Sequence, residues 1–311
     1  RFLVRVQVEE LFVFKGKIIL FVPNHAKVFR MTPADDILKT IKKWAKENED
    51  IRAMILLGSR ARRGGTDRLS DIDLGLFLTN PQDYFQNETW FTKFAPVWLS
   101  IAEDENDLLT WKVIFQEGVM VEFMLYPVTA LHEMVSGLPA KFEPGYKVLI
   151  DKDRLARKLP KARGKNIPPE APSATTFNRT IEHFWFDAYQ VAKYLWRSEL
   201  WRVKHFDWKL KQHLLKMMGW HAVVLRGKID FTTYQGKHIR DWTEPETHTG
   251  LMTIFGRFYP ADSWRSLTET IKIFTKISGE IAGELNFDVR QDLKEKFTGL
   301  IQSLQNNPDQ S

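Results

Sequence analysis

The stretch 51–79 constrains the fold of this chain more than any other part of the sequence. An apolar run at 51–57 predicts a strand that ends at Gly58-Ser59. A basic, glycine-containing connection leads to a second predicted strand, 71–79, whose apolar residues alternate with a period of two. Four residues share one face of this strand: Ile72, Leu74, Leu76 and Leu78. Asp71 and Asp73 therefore lie together on the opposite face, with Cα atoms about 7 Å apart.

The polar residues of these two strands are suited to a phosphate and a cation. Because glycine has no Cβ, Gly58 and Ser59 let backbone N–H groups and a hydroxyl approach an anion closely. The carboxylates of Asp71 and Asp73 can form one wall of a site for a hard cation. A phosphate-binding turn eleven residues before a cation site predicts a magnesium–nucleotide complex as the ligand.

Composition excludes several classes of site. The 311 residues contain no cysteine, which rules out disulfides, thiolate nucleophiles and cysteine-based zinc sites, and agrees with a cytoplasmic location. The net charge of +6 results from 45 basic and 39 acidic residues, so the surface is of mixed charge and we expect no nucleic-acid partner. No window of eighteen successive apolar residues occurs, and we expect no membrane association.

The sequence predicts two domains with an extension before the first. Residues 1–30 form the extension, for which a non-native origin and translation from upstream of a start at Met31 are both open interpretations. A helix signal follows Met31 directly, with Thr32 as N-cap and Pro33 at the first helical position. The first domain spans 31–155, and a linker at 156–172 separates it from a helical domain at 173–305. Four prolines mark the linker: Pro160, Pro168, Pro169 and Pro172.

Beyond the central strands, short helices are predicted over 81–85 and 89–100, and a hairpin over 110–125 with its turn at 116–118. Glu122 lies among apolar residues on the second arm of this hairpin. Two interpretations stay open: a surface carboxylate on an edge strand, or a third metal ligand placed beside Asp71 and Asp73 by strand pairing. From residue 173 onward, apolar stripes at helical spacing predict a bundle of antiparallel helices. The overall expectation is an α+β fold.

Short segments along most of the chain resemble one family of enzymes. The order of Gly58-Ser59, Asp71 and Asp73, then a lone carboxylate at Glu122, resembles the nucleotidyltransferase superfamily with its polymerase beta-like sheet domain. Within that superfamily the chain resembles the aminoglycoside 6-adenylyltransferases, also called streptomycin adenylyltransferases. The matching segments are LLGSR at 56–60, SDIDLGLFLT at 70–79, VEFMLYP at 121–127, KVLIDKD at 147–153, PSATTF at 172–177, FW at 184–185, HLLKMMGW at 213–220, QGKHI at 235–239 and SGEIAGEL at 278–285.

This resemblance implies transfer of AMP from ATP to a hydroxyl of streptomycin with release of pyrophosphate. It implies Mg²⁺ held by Asp71, Asp73 and the carboxylate matching Glu122, where family members commonly carry aspartate. ATP and a small cationic acceptor are then the expected partners of a monomer or weak dimer. The terminal phosphates of ATP are expected at Gly58 and Ser59, with Arg60 as counter-charge.

The helical domain carries the part of the predicted site that departs from the family pattern. The family has a glutamate immediately before the FW pair, suited to act as a base, and this chain has His183 there, with Glu182 one residue earlier. A one-residue step turns a helical side chain by about 100°, so either residue remains a candidate base. Lys216 and Lys237 are candidate triphosphate contacts or simply solvated lysines.

Two rival functions remain open from the sequence alone. One is the same chemistry on another acceptor, such as a lincosamide or a protein hydroxyl. The other is a catalytically silent nucleotide-binding or RNA-binding protein, suggested by the positive charge and by the changed residues Glu122 and His183. The intact pair Asp71 and Asp73 argues against the silent protein, because a non-catalytic binder does not need a paired metal wall.

Overall fold

The computed structural model describes residues 11–14, 17–20, 34–62, 66, 67, 69–105 and 108–306. The chain divides into two compact units, 1–161 and 162–311. The predicted helix cap at Thr32 and Pro33 lies outside the described residues, as does most of the predicted extension 1–30. Within that extension two short strands pair in antiparallel fashion, β1 (Leu11–Phe14) and β2 (Lys17–Leu20).

The first unit is built around a six-stranded sheet. Its strands are β3 (Ile51–Leu56), β4 (Ile72–Leu78), β5 (Val97–Glu105), β6 (Leu108–Phe115), β7 (Val119–Pro127) and β8 (Lys147–Asp151), in the spatial order β5-β6-β7-β4-β3-β8. Four helices accompany them: α1 (Ala34–Glu47), α2 (Gly58–Ala61), α3 (Pro81–Phe85) and α4 (Ala130–Ser136). All neighbouring strands of this sheet run antiparallel except β4 and β7, which are parallel. The parallel pair lies in the middle of the sheet, so both strands are buried and strongly apolar.

The period-two alternation of the strands supplies a core on each face of the sheet. On one face, Ile37 and Ile41 of α1 pack with Met54 of β3 and Leu74 of β4. On the other face, Ile55 and Phe77 belong to a second cluster. Residues following β7 complete this cluster, including Leu131, Met134 and Phe142. Both faces of the central strands are therefore covered, which places their polar residues at the strand ends or in gaps of the covering layer.

The helix predicted over 89–100 is wrong. A short 3₁₀ turn covers Glu88–Trp90, and from Val97 the chain forms β5, which pairs with β6 up to Glu105. Aromatic and β-branched residues favour a strand once a neighbouring strand offers hydrogen bonds, and pairing with β6 outweighs the local helical pattern. The predicted hairpin is confirmed as β6 and β7, joined by a 3₁₀ turn at Gln116–Gly118.

The second unit is helical, as predicted. It contains α5 (Ala174–Trp196), α6 (Leu200–Val224), α7 (Ile239–Trp242), α8 (Pro245–Gly250), α9 (Pro260–Leu285) and α10 (Gln291–Asn306). The side chain of Ser173 caps α5 by accepting a hydrogen bond from the backbone N–H of Thr176. Apolar residues of α5, α6 and α9 share one core, in which Phe184 stacks on Phe274 with ring centroids 3.5 Å apart. In the part of the chain that the structure describes, no helix is both long enough and apolar enough to cross a bilayer.

We expect Phe274→Ala to destabilise the helical unit by about 3 to 5 kcal/mol, because it leaves a cavity against the ring of Phe184. Denaturant unfolding followed by circular dichroism measures this loss. Phe186→Ala is the matched control, since Phe186 is 53% exposed on α5. Equal stabilities of the two variants would show that the aromatic stack does not support the helical core.

Candidate active site

The parallel pairing of β4 and β7 brings two of the predicted ligands together. Asp73 of β4 lies directly opposite Glu122 of β7 in the register of the pair. Since β7 lies between β4 and β6, the interpretation of Glu122 as an edge-strand carboxylate is wrong. Only 18% of the Glu122 side chain is exposed, and Asp73 is half-buried beside it. Asp71 is exposed and precedes the first residue of β4.

In this group of carboxylates, a neighbouring ammonium balances only part of the negative charge. Burial and the neighbouring charge of Glu122 raise the pKa of Asp73 to about 6, and Asp71 adds to the effect. The ammonium of Lys141 opposes it. Oxygen ligands crowded together in this way are suited to a hard divalent cation, which would relieve their mutual repulsion.

Lys141 is a member of the site that sequence reasoning did not identify. Its Nζ donates to the Oε1 of Glu122 over 2.8 Å, although the lysine itself is 45% exposed. Nineteen residues separate the two along the chain, and no local pattern links them. The cluster also affects Tyr126: burial and the charge of Glu122 raise the pKa of its hydroxyl to about 12.

The Gly58 turn lies against the carboxylate of Asp73. Gly58 has φ +65°, in the left-handed region that favours glycine, and a Cβ added to it would overlap the Oδ2 of Asp73. The preceding residue, Leu57, donates its backbone N–H to the carbonyl of Asp73 over 2.9 Å. The predicted phosphate-binding turn therefore lies next to Asp73, one of the predicted metal ligands. Ser59 is half-buried in α2, next to this contact.

Arg60 ties α2 to the segment that carries Asp71. Its Nε donates to the carbonyl of Ser70 over 3.1 Å, and its guanidinium lies 3.3 Å from the carboxylate of Asp35. The side chain thus supports the backbone immediately before Asp71 while keeping a positive charge close to the turn. Residues 63–65 and 68 of the connection lie outside the described residues.

The predicted base candidates occupy an exposed part of α5. Glu182 forms an ion pair with Arg290 at 3.0 Å, and Arg290 also contacts Asp292. The ring of His183 is exposed and lies 6.0 Å, centroid to centroid, from the ring of His213 on α6. The carboxylate of Glu182 is thus paired with an arginine, whereas the ring of His183 lies beside the ring of His213.

The two predicted lysines lie at separate places on the helical unit. Lys216 is exposed on α6, with its ammonium 4.8 Å from the ring centre of Trp220. It lines a cleft of about 190 Å³ with Gln212, Leu215, Thr233, Gln235 and Pro169. Lys237 is exposed between the 3₁₀ turn Tyr234–Gly236 and α7. Both side chains are accessible to a ligand.

A buried carboxylate–imidazole pair was not identified from the sequence. His213 Nε2 lies 2.9 Å from Asp187 Oδ2, joining α6 to α5. Asp187 follows His183 by four residues, so the two share one helix face. This spacing was the available signal, but only the packing of α5 against α6 brings His213 to them.

A third group of side chains could in principle bind a metal ion, but a lysine ammonium already lies beside it. Ligand atoms of His221, Glu244 and Glu280 lie within 4.8 Å of one another. The ammonium of Lys276 is 3.7 Å from Glu244 and 4.0 Å from Glu280, and His221 bonds Glu280 at 2.8 Å. We therefore assign this group to holding α6, α9 and the residue before α8 together.

Comparison with known proteins decides the family. The model of the family described as streptomycin adenylyltransferase matches residues 31–304. The chain belongs to the streptomycin adenylyltransferase family. It is accordingly a nucleotidyltransferase, and the resemblance seen in the sequence is confirmed.

The curated relatives of this chain share little sequence identity with it, but the alignments cover most of its length. Aminoglycoside 6-adenylyltransferase of Bacillus subtilis (strain 168) is 22% identical over 267 residues, which is 83% of this chain and 93% of the relative. Aminoglycoside 6-adenylyltransferase of Campylobacter jejuni is 21% identical, with 83% and 91% covered. A crystal structure of an aminoglycoside 6-adenyltransferase from Bacillus subtilis aligns with a TM-score of 0.44 at 19% identity, over 88% of this chain and 99% of that one.

Proposed function

We propose that this protein transfers AMP from magnesium-bound ATP to a hydroxyl of an aminoglycoside, streptomycin being the first candidate, and releases pyrophosphate. The observation that carries the proposal is the carboxylate pair Asp73 and Glu122 in parallel register beside the Gly58 turn. The names of the curated relatives support the aminoglycoside as acceptor class.

Asp71, Asp73 and Glu122 are the residues that would hold Mg²⁺. The three are carboxylates, which magnesium prefers. Burial, and after it the neighbouring charge of Glu122, raises the pKa of Asp73, and a bound cation would offset both effects. When bound, the metal supplies neutralising charge to the phosphate oxygens during the displacement. Lys141 keeps Glu122 oriented by its hydrogen bond and balances part of the negative charge.

Gly58 and Ser59 would bind the terminal phosphates of ATP, through backbone N–H groups and the serine hydroxyl. We propose two roles for Arg60: a counter-charge for the triphosphate, and support of the Asp71 segment through the carbonyl of Ser70. Lys216 and Lys237 are proposed as further triphosphate contacts, since both are exposed cations.

The reaction is an in-line displacement at the α-phosphorus. A bond forms from the acceptor oxygen to phosphorus, the bond from phosphorus to the bridging oxygen breaks, and pyrophosphate leaves with the electron pair. The hydroxyl must also lose its proton to a base. Of the two candidates on α5, Glu182 is engaged by Arg290, whereas His183 has a ring nitrogen that can accept a proton.

Mass spectrometry of reaction products tests the function. We expect an adduct of one AMP unit on streptomycin, or on another aminoglycoside, after incubation with ATP and Mg²⁺. Omission of Mg²⁺ is the first control, and lincomycin in the same panel represents the rival acceptor. An adduct on lincomycin alone would transfer the proposal to lincosamides. ATP binding without any drug adduct would point to another acceptor, such as a protein hydroxyl.

The predicted monomer or weak dimer and the cytoplasmic location remain predictions. Light scattering of the purified protein at several concentrations measures the first of them. We propose that the protein acts in the cytoplasm, where ATP and Mg²⁺ are abundant. The absence of cysteine agrees with such a reducing compartment.

A further inference from the structure

A cleft of about 380 Å³ lies in the first unit, near the end of β4 that is remote from Asp73. Its lining comes from the end of α1, from Asp50 just before β3, and from α3 with the residues that follow it. The backbone N–H of Thr79 donates to the carbonyl of Asp50, and Thr79 follows Asp73 by six residues. At about 3.3 Å per strand residue, the cleft and the carboxylate cluster are about 20 Å apart. The cleft is therefore separate from the candidate active site.

Three aromatic rings form the apolar wall of this cleft: Trp44, Tyr84 and Trp90. The indoles of Trp44 and Trp90 are stacked, with centroids 5.2 Å apart and an angle of 14° between their planes. Tyr84 packs edge-on against Trp90, and its carbonyl accepts a hydrogen bond from the indole N–H of Trp90 over 2.9 Å. These contacts fix the rings, so the wall is formed before a ligand binds. Aromatic faces attract both apolar groups and cations.

Two carboxylates give the polar side of the cleft a negative charge. Asp50 Oδ2 accepts a hydrogen bond from the hydroxyl of Tyr84 over 3.2 Å, and Asn48 donates to the same hydroxyl over 2.6 Å. No described residue forms a hydrogen bond or an ion pair with the carboxylate of Asp83. Burial raises the pKa of Tyr84, and the hydrogen bond from Asn48 opposes this rise. The charges of Asp50 and Asp83 add to the rise, so both carboxylates act on the same part of the cleft.

The chain places one cation of its own at this cleft. Lys93 belongs to the lining, and its ammonium lies 5.3 Å from the ring centre of Trp44. The face of Trp44 is thus accessible to an ammonium group. With two carboxylates against one ammonium, the lining has a net negative charge, although the whole chain carries +6. The cleft therefore favours a cation over an anion.

We propose that this cleft is a binding site for a small organic cation, namely an alkyl diamine whose carbon chain lies on the ring of Trp44 and whose ammonium groups pair with Asp50 and Asp83. The volume of the cleft falls within the range of about 300 to 1,000 Å³ that small-molecule sites occupy. Lys93 is a competing charge in this arrangement, because its ammonium repels the ligand. The proposal is independent of the adenylyl transfer proposed above.

Titration with putrescine, a butane with an ammonium at each end, tests the site. Heteronuclear NMR follows the indole N–H signal of Trp44, which is assigned by its loss in Trp44→Phe. We expect a saturable shift of this signal, and a shift at least about tenfold weaker in affinity with butanediol, which has the same length and no charge.

Two charge variants are expected to act in opposite directions. Asp83→Asn should weaken the binding of putrescine about three- to fivefold, because it removes an attractive charge. Lys93→Met should strengthen binding by a similar factor, because it removes a repulsive one. Asp104→Asn is the matched control, since Asp104 is exposed on β5 and does not line the cleft.

Circular dichroism shows whether each variant is folded, which we expect because Asp83 and Lys93 are both exposed. The absence of a saturable shift at Trp44 would overturn the proposal. Equal affinities for putrescine and butanediol would overturn the assignment of a cation as ligand. Folded Asp83→Asn and Lys93→Met proteins with wild-type affinity would show that the diamine binds elsewhere. The titration contains no ATP and no acceptor, so none of these outcomes bears on the proposed reaction.

Discussion

Replacing Asp73 by asparagine is expected to abolish adenylyl transfer and, at the same time, to make the metal-free protein more stable. The charges of Glu122 and Asp71 both act on Asp73, and an amide cannot replace its charge on a divalent cation. We expect the loss in kcat/KM to exceed about a hundredfold.

The gain in stability follows from the sign of the pKa shift. Burial and the charge of Glu122 raise the pKa of Asp73 from 3.8 to about 6. Between these two values the folded state binds a proton that the unfolded state does not, so stability falls as pH rises through this window. At neutral pH the ionised side chain costs up to about 3 kcal/mol, at about 1.4 kcal/mol for each pKa unit. The asparagine side chain of Asp73→Asn would carry no charge and could still hydrogen-bond to Glu122.

Calorimetry of the metal-free protein at pH 7 measures this effect, and we expect Asp73→Asn to raise the Tm by several degrees. Asp71→Asn is the matched control: Asp71 is exposed, so its loss should impair activity with little change in Tm. Added Mg²⁺ should raise the Tm of the wild type and leave that of Asp73→Asn nearly unchanged. A lower Tm for Asp73→Asn without metal would mean that the surroundings of Asp73 stabilise its ionised carboxylate, which contradicts the expected repulsion.

Gly58→Ala is the second substitution for which we expect a large effect. Its φ of +65° disfavours any residue with a Cβ, by about 1 to 2 kcal/mol, and the new methyl would also overlap the Oδ2 of Asp73. Relief of the overlap requires the carboxylate or the turn to move. We therefore expect a loss of activity of about a hundredfold or more, with weaker binding of ATP.

Gly118→Ala separates backbone strain from the contact with Asp73. Gly118 has φ +78°, but an added Cβ meets no atom within 4 Å. This control should lose about the same 1 to 2 kcal/mol from strain and keep its kinetic constants. Steady-state kinetics with ATP as the varied substrate, beside denaturant unfolding, compares the two. If both variants keep full activity, the close approach of Gly58 to Asp73 is not required for catalysis.

The segment 51–79 was the most predictable part of the candidate site. The period-two alternation of Ile72, Leu74 and their successors indicates a strand, so the position of β4 followed from its own sequence. The turn at Gly58 was also predictable from the sequence. An apolar run that ends at a glycine indicates a strand end at which another group can approach the backbone closely. By contrast, the segment 89–100 was misread as a helix, because its strand forms only by pairing with β6.

The family, the α+β class and the residue types of the candidate site could be inferred from the sequence, because these depend on local periodicity and on short motifs. Which side chains meet depends on the tertiary structure. The pairing of β7 with β4 places Glu122 opposite Asp73, Lys141 reaches Glu122 from nineteen residues away, and the packing of two helices joins Asp187 to His213. Such contacts depend on strand order and helix packing, which are properties of the whole chain and leave no trace in the spacing of neighbouring residues.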